Sequence, residues 1–221
     1  MKVKKLFLVL MLSFLSLTVY AAEGEIKESL DISTKESVKK SITEPLPPAA
    51  QIEVDFVQQL PDYCGEACFV MAAKRLGMDI TQQDVHEASG LKRKRGCYTD
   101  DLVRAGLKLG VDADGYWIED FKTSEEREYY LSVLKYFISL SYPVIISWNE
   151  DPNDHDYSSF EHFVLAVGYD DEKEEMTIMD PLLGPAEGRR IAYADFLDRW
   201  QWRKWGGAYG LVMYVIKGRV E

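Results

Sequence analysis

The spacing of apolar residues changes once along this chain, and the change constrains the fold more than any other feature. Before residue 140 apolar side chains recur at helical spacing, whereas beyond Pro143 they form short continuous or alternating runs typical of strands. Helices followed by strands favour an α+β fold with an antiparallel sheet over alternating βαβ units. The predicted helices are 67–76, 81–88, 99–110, 125–139 and 194–202, and the predicted strands are 143–148, 162–169, 175–179 and 209–217.

The first 22 residues have the three-part pattern of a secretory signal peptide. Lysines at positions 2, 4 and 5 precede an apolar stretch, residues 6–19, and Ala21 and Ala22 supply small residues for cleavage. The apolar stretch is about 14 residues long, shorter than the roughly 20 that a membrane-spanning helix needs. We therefore expect residues 1–22 to be removed, leaving no membrane span. The protein would be exported, to a periplasm or out of the cell.

Residues 23–50 differ in composition from the rest of the chain. They are polar, contain few large apolar residues and end in a proline-rich segment around Pro45 and Pro47. Such a segment cannot form a core of its own, and we interpret it as a flexible linker or a short pro-segment. Residues 51–221 then remain as one globular domain, by the prior of roughly 150 residues per domain.

Composition excludes several classes of function. The net charge of −11 makes nucleic acid an unexpected partner, because phosphate contacts need an excess of lysine and arginine. Three cysteines are too few for a disulfide scaffold or a four-cysteine zinc site, and their spacing lacks the pairing of structural metal ligands. The phosphate-binding G-x-x-x-x-G-K-[ST] pattern does not occur. The sequence therefore predicts no metal and no cofactor.

Cys64 lies where the first helix is expected to begin. Backbone N–H groups point toward that position and favour a thiolate, which is the form that attacks a carbonyl carbon. Gly65 would let a substrate approach the backbone, and a nearby glutamine could donate a hydrogen bond to a developing oxyanion. On spacing alone, Cys64 could equally be half of a disulfide or a small buried residue.

A histidine and an aspartate downstream make the nucleophile interpretation more specific. His162 begins one predicted strand, and Asp180 follows the end of the next. A hairpin formed by these strands could bring Asp180 beside His162, where it would hold the imidazole while the imidazole serves the thiol. The set Cys64, His162 and Asp180 is typical of nucleophilic catalysis.

Together these segments resemble the bacteriocin-processing (double-glycine leader) cysteine peptidase family, which has a papain-like fold. The resemblance runs from about Val54 to Val215. The stretches that carry it are Gln59 to Gly65, Gly96-Cys97-Tyr98-Thr99 with Asp101-Leu102, Tyr142-Pro143-Val144-Ile145, Glu161-His162-Phe163-Val164, Gly168-Tyr169-Asp170 and Asp180-Pro181.

The resemblance implies a role for each matching residue. Cys64 would be the nucleophile, His162 the general base and then acid, and Asp180 the residue that orients His162. Gln59 would donate to the oxyanion together with the Cys64 backbone N–H, with Gln58 as the alternative donor. The implied substrate is a peptide or protein.

Glu66 departs from the family pattern, which often has proline or another small residue there. A carboxylate two residues from Cys64 would oppose the thiolate, or it could favour a basic group on the substrate. Two alternatives to a peptidase therefore stay open: a peptide-binding pseudo-peptidase, and a transglutaminase-like acyl transferase.

The other two cysteines and one further histidine complete the set of candidate residues. Cys68 lies one helical turn after Cys64, and a Cys68–Cys97 disulfide would leave Cys64 free; two separate buried thiols are the alternative. His86 is expected on the exposed face of a short helix.

Overall fold

Capping residues set the limits of the helices. Thr81 and Thr123 form capping boxes with Asp84 and Glu126, and the left-handed residues Gly90 and Gly110 end two helices. The helices are α1 (Cys64–Arg75), α2 (Gln82–Ser89), α3 (Thr99–Leu109), α4 (Ser124–Ser139) and α5 (Tyr193–Arg199). All five lie close to their predicted positions: α1 begins at Cys64, where the first helix was expected to start and three residues before its apolar repeat, and α5 ends before Trp200.

The computed structural model describes residues 45–92, 96–119, 123–150, 162–183, 189–200, 202–203 and 209–219. These ranges belong to a unit that begins at Pro45. The predicted signal peptide and residues 23–44 of the predicted linker lie outside the described residues. Among the helices that are described, none combines the length and the apolar character needed to cross a membrane.

The strands form one antiparallel sheet. They are β1 (Ala49–Gln51), β2 (Val111–Glu119), β3 (Val144–Trp148), β4 (His162–Asp170), β5 (Glu175–Met179), β6 (Arg189–Ala192), β7 (Trp202–Arg203) and β8 (Tyr209–Arg219). Their order is β2-β8-β3-β4-β5-β6, while β1 pairs with β4 and β7 with β8. The predicted α+β architecture is confirmed.

Four of these strands were not predicted from the sequence. β2 begins Val-Asp-Ala-Asp-Gly, a poor strand sequence by composition, yet it pairs with β8 along its whole length. Tertiary pairing therefore outweighs local preference there. β1 has three residues, and β7 has two, which is too short to leave a pattern.

The core lies where α1 meets the centre of the sheet. Residues 65–73 of α1 are all buried, as are all of β3 and residues 162–169 of β4. Both strands read as continuous apolar runs because both of their faces are covered. This packing places the first residue of α1 beside the first residue of β4.

Candidate active site

Cys64 is the first residue of α1 and is partly exposed, whereas the nine residues after it are buried. The residue before it, Tyr63, makes no side-chain capping hydrogen bond. The first N–H groups of a helix have no partner within the helix, so they remain available at this end. The Cys64 thiol therefore lies at the positive end of the helix dipole, accessible from solvent.

Close packing holds the start of α1 against β4. A Cβ atom added at Gly65 would lie 3.0 Å from Leu102 Cδ1 and 3.2 Å from Phe163 Cδ2. One turn later, the Cys68 thiol donates a hydrogen bond to the Phe163 carbonyl oxygen at 3.4 Å. Gly65 thus allows the start of α1 to pack closely against Leu102 and Phe163. Because Phe163 follows His162, these contacts place Cys64 next to His162.

The hairpin of β4 and β5 brings His162 and Asp180 together. Leu165 pairs with Met179, and continuing that register by one residue places Asp180 opposite Val164, two residues from His162 and on the same face. His162 Nε2 lies 2.9 Å from Asp180 Oδ1. The Leu182 N–H donates to the same Oδ1 at 2.9 Å, which fixes the carboxylate.

Electrostatics in this buried pair favour a charged imidazole. Burial alone would lower the pKa of His162, but hydrogen bonds with Asp180 and with Cys64, and their charges, raise it to about 9. Burial likewise opposes the charge of Asp180, yet the hydrogen bond and charge of His162 leave the pKa of Asp180 below its ordinary value. The arrangement therefore holds a protonated imidazole between a carboxylate and a thiol.

The two glutamines before Cys64 have different surroundings. The Gln58 side chain is exposed, and its Nε2 donates to the carbonyl oxygens of Pro181 and Leu182 at 2.8 and 3.1 Å. The Gln59 backbone N–H donates to Pro181 at 2.9 Å. Gln59 Oε1 is buried and has no hydrogen-bond partner among the described residues. The amide of Gln58 is thus committed to the segment after Asp180.

The suggested Cys68–Cys97 disulfide is not formed, since all three cysteines are free. The Cys68 thiol points to the Phe163 carbonyl, while Cys97 lies beside Glu66, whose Oε1 accepts the Cys97 N–H at 3.0 Å. The two thiols therefore face different partners. Burial, as the largest cause, raises the pKa of both well above the ordinary value.

Glu66 lies fully buried and does not face the cleft. Two residues along an α-helix rotate the side-chain direction by about 200°, so Glu66 points away from Cys64. Its Oε1 lies 3.0 Å from His86 Nδ1, and the imidazole stacks on Tyr63 with ring centroids 4.8 Å apart. The His86 side chain is only 12% exposed, so its predicted exposure is wrong. A buried carboxylate needs such a partner, which sequence spacing alone did not reveal.

One further residue near the candidate triad was not predicted. Interacting atoms of Glu150, His162 and Asp180 lie within 4.8 Å of one another, and Glu150 also lies 3.7 Å from Arg189. Glu150 lies two residues after the end of the predicted strand 143–148, but a single acid after a strand carries no signal in the sequence.

Comparison with known proteins identifies the family. The model of the Peptidase_C39 like family matches residues 51–208, more than half of the chain. The chain belongs to this family. The resemblance to bacteriocin-processing cysteine peptidases is thus confirmed. None of the curated proteins matches the sequence.

Three solved structures illustrate what the chain is similar to. A double-glycine-motif protease from an AMS/PCAT transporter, in complex with its leader peptide, is 20% identical with a TM-score of 0.50; the match covers 76% of this chain and 95% of that one. The peptidase domain of the Streptococcus transporter ComA is 20% identical with a TM-score of 0.49, covering 72% and 96%. Xylellain, a cysteine protease from Xylella fastidiosa, is 12% identical with a TM-score of 0.48, covering 81% and 89%.

Proposed function

We propose that this protein is an exported cysteine peptidase that hydrolyses peptide bonds through Cys64, His162 and Asp180. The observation that carries the proposal is the buried His162–Asp180 pair at 2.9 Å, hydrogen-bonded to a partly exposed thiol at a helix start. A thiol, an imidazole and an orienting carboxylate in this order are the parts that covalent acyl transfer requires.

In the proposed reaction the Cys64 sulfur attacks the scissile carbonyl carbon as a thiolate. His162, protonated in the resting enzyme, gives its Nδ1 proton to the leaving amine as the C–N bond breaks and a thioester forms. His162 then removes a proton from water, which attacks the thioester and releases the acid. Asp180 accepts the Nε2–H throughout, so that Nδ1 stays directed toward Cys64.

We assign the oxyanion donors to the Gln59 side chain and the Cys64 backbone N–H. Two observations support this choice over Gln58: the Gln58 amide already donates to Pro181 and Leu182, and Gln59 is the less exposed of the two. The uncapped start of α1 supplies the second donor.

The proposed substrate is a peptide segment of another protein. Family membership supports this class, as does the related protease in complex with its leader peptide. Glu66 plays no part in selecting a basic substrate group, because its side chain is fully buried. The proposal of export rests on the basic and apolar pattern of residues 1–22.

Selective alkylation tests the nucleophile. We expect sub-stoichiometric iodoacetamide at about pH 6 to label Cys64 first, since an ordinary thiol with a pKa of about 8.5 is almost fully protonated there. Cys68 and Cys97 should stay unlabelled, because burial raises the pKa of both thiols. Peptide mass mapping identifies the modified residue, and His162→Ala should slow the reaction.

Turnover gives the second readout. Cys64→Ala should lower the hydrolysis of a cleaved peptide by at least about a thousandfold without changing the melting temperature. Slow labelling of a reduced, accessible Cys64 would contradict the proposal and favour a peptide-binding module. Incorporation of an added amine in place of hydrolysis would favour an acyl transferase instead.

A further inference from the structure

A second set of thiol, imidazole and carboxylate groups lies behind the nucleophile. Glu66 comes from α1, His86 from α2, and Cys97 from the segment before α3. Their potential ligand atoms all lie within 4.8 Å of one another, although the three residues are spread over 31 positions of sequence. Glu66 and Cys97 are buried, and the His86 side chain is 12% exposed.

One atom of this cluster has no partner in the part of the chain that the structure describes. Glu66 Oε1 faces both His86 Nδ1 and the Cys97 N–H, each at 3.0 Å. Glu66 Oε2 is buried and receives no hydrogen bond. An unsatisfied oxygen on a fully buried carboxylate is costly, so a cation bound by this carboxylate would be favoured.

The residue beside that oxygen is a glycine. A Cβ atom at position 96 would lie 3.6 Å from Glu66 Oε2 and only 1.8 Å from the Asp62 carbonyl oxygen. Gly96 therefore allows the segment that carries Cys97 to approach α1, and it places no side chain next to Oε2.

We propose that Glu66, His86 and Cys97 bind a divalent metal ion, with Zn²⁺ as the best match. Carboxylate, imidazole and thiolate are the three ligand types that zinc uses in proteins, and softer or harder metals prefer more uniform sets. When two ligand atoms bind one zinc ion at about 2.0–2.2 Å with a tetrahedral angle between the bonds, the two ligand atoms lie roughly 3.3 Å apart. The 3.0 Å separation of His86 Nδ1 and Glu66 Oε1 is close to that value.

The metal would join three elements around the base of the catalytic helix. His86 and Glu66 would each bind the ion instead of contacting one another. Cys97 would bind it as a thiolate after losing its proton to solvent. Since Glu66 is two residues from Cys64, occupancy would hold the start of α1 in place. The proposal concerns binding and stands whether or not the protein hydrolyses peptides.

The test uses the purified protein carrying Cys64→Ser, so that the nucleophile offers no thiol. After treatment with a chelator, the protein is titrated with Co²⁺ and then Zn²⁺. We expect one bound metal per chain, a thiolate-to-cobalt charge-transfer band in the near ultraviolet, and displacement of cobalt by zinc. Zinc should also raise the melting temperature, because a ligand of the folded state stabilises it.

Matched variants identify the ligands. In the Cys64→Ser background, Cys97→Ser should remove the charge-transfer band and weaken zinc affinity by more than about 100-fold. Removing a residue that only holds a metal ligand in place typically weakens affinity by about 10- to 100-fold, so loss of a ligand itself should exceed that range. Cys68→Ser is the control, because Cys68 is a buried thiol directed at Phe163, and it should keep the band and the affinity. Circular dichroism of each chelated variant verifies that it is folded.

Two results would overturn the proposal. One is the absence of stoichiometric metal from a folded Cys64→Ser protein at micromolar zinc, which would leave Glu66 and His86 as an ion pair only. The other is binding that survives both Cys97→Ser and Glu66→Gln, which would assign the metal to different residues, such as the group Glu150, His162 and Asp180.

Discussion

Two imidazole–carboxylate pairs lie near the start of α1, and their geometry is almost the same. His162 Nε2 lies 2.9 Å from Asp180 Oδ1, and His86 Nδ1 lies 3.0 Å from Glu66 Oε1. Each pair also has a cysteine beside it. The cysteines differ, because Cys64 is the partly exposed first residue of a helix whereas Cys97 is only 3% exposed.

The two cysteines thus differ in position and exposure rather than in the types of residue beside them. Burial, followed by the negative charge of Glu66, raises the pKa of the Cys97 thiol, so this sulfur stays protonated unless a cation binds. Cys64 instead is partly exposed at an uncapped helix start, beside an imidazole whose pKa is raised to about 9. The same three residue types thus form the proposed site of acyl transfer on one side of α1 and a buried junction on the other.

The largest expected effect comes from the carboxylate of the first pair. Asp180→Asn should lower kcat/KM by about 10²–10⁴-fold, because an amide can present its N–H to His162 and favour the wrong tautomer. The amide is nearly isosteric, so the fold should be retained. Steady-state hydrolysis together with a melting curve measures both quantities.

A control variant makes that result specific. Asp195→Asn removes a carboxylate in the first turn of α5, outside the candidate site, and should leave kcat/KM within a factor of about two. Equal losses in the two variants would show that His162 is not held by Asp180 in the reacting enzyme.

The carboxylate of the second pair should affect stability instead. Glu66→Ala leaves the Cys97 N–H and His86 without their shared acceptor in a buried site, and we expect a loss of about 3–5 kcal/mol in the free energy of unfolding. Urea denaturation in the presence of a chelator measures this free energy without a contribution from bound metal.

Glu87→Ala is the control, because Glu87 is an exposed acid on α2, and its free energy of unfolding should stay within about 0.5 kcal/mol of that of the parent. A Glu66→Ala loss as small as that would show that the buried junction contributes nothing to folding.

Sequence spacing was sufficient where the signal is local. The starts of α2 and α4, at Gln82 and Ser124, and the start of β4 at His162 lie at or next to their predicted positions. The approach of Asp180 to His162 followed from the expected hairpin, because antiparallel register places alternate residues on one face. The residues of the candidate triad could therefore be proposed from sequence reasoning together with family resemblance.

Features that depend on contacts between distant segments were not predictable. Glu66, His86 and Cys97 converge only after α1, α2 and the segment before α3 have packed, and no spacing rule relates them. β2 was missed for the same reason, since its pairing with β8 outweighs a polar, glycine-containing sequence. The suggested disulfide failed because spacing gives no information on the direction of the Cys68 thiol.

The two imidazoles can finally be separated by pH. His162 must be protonated in the resting enzyme, and its pKa is raised from the ordinary value of 6.5 to about 9 despite burial, by Asp180 and Cys64. The imidazolium form of His162 is therefore present below that value and lost as pH rises through it. We expect kcat/KM to hold up to about pH 9 and then to fall about tenfold per pH unit.

Replacing Asp180 by Asn should move this alkaline limb to lower pH, because the hydrogen bond that contributes most to raising the pKa of His162 is removed. His86→Gln should leave the position of the limb unchanged, since Glu66 and His86 point away from Cys64. A limb that moved with His86 and not with Asp180 would reverse the roles assigned to the two pairs.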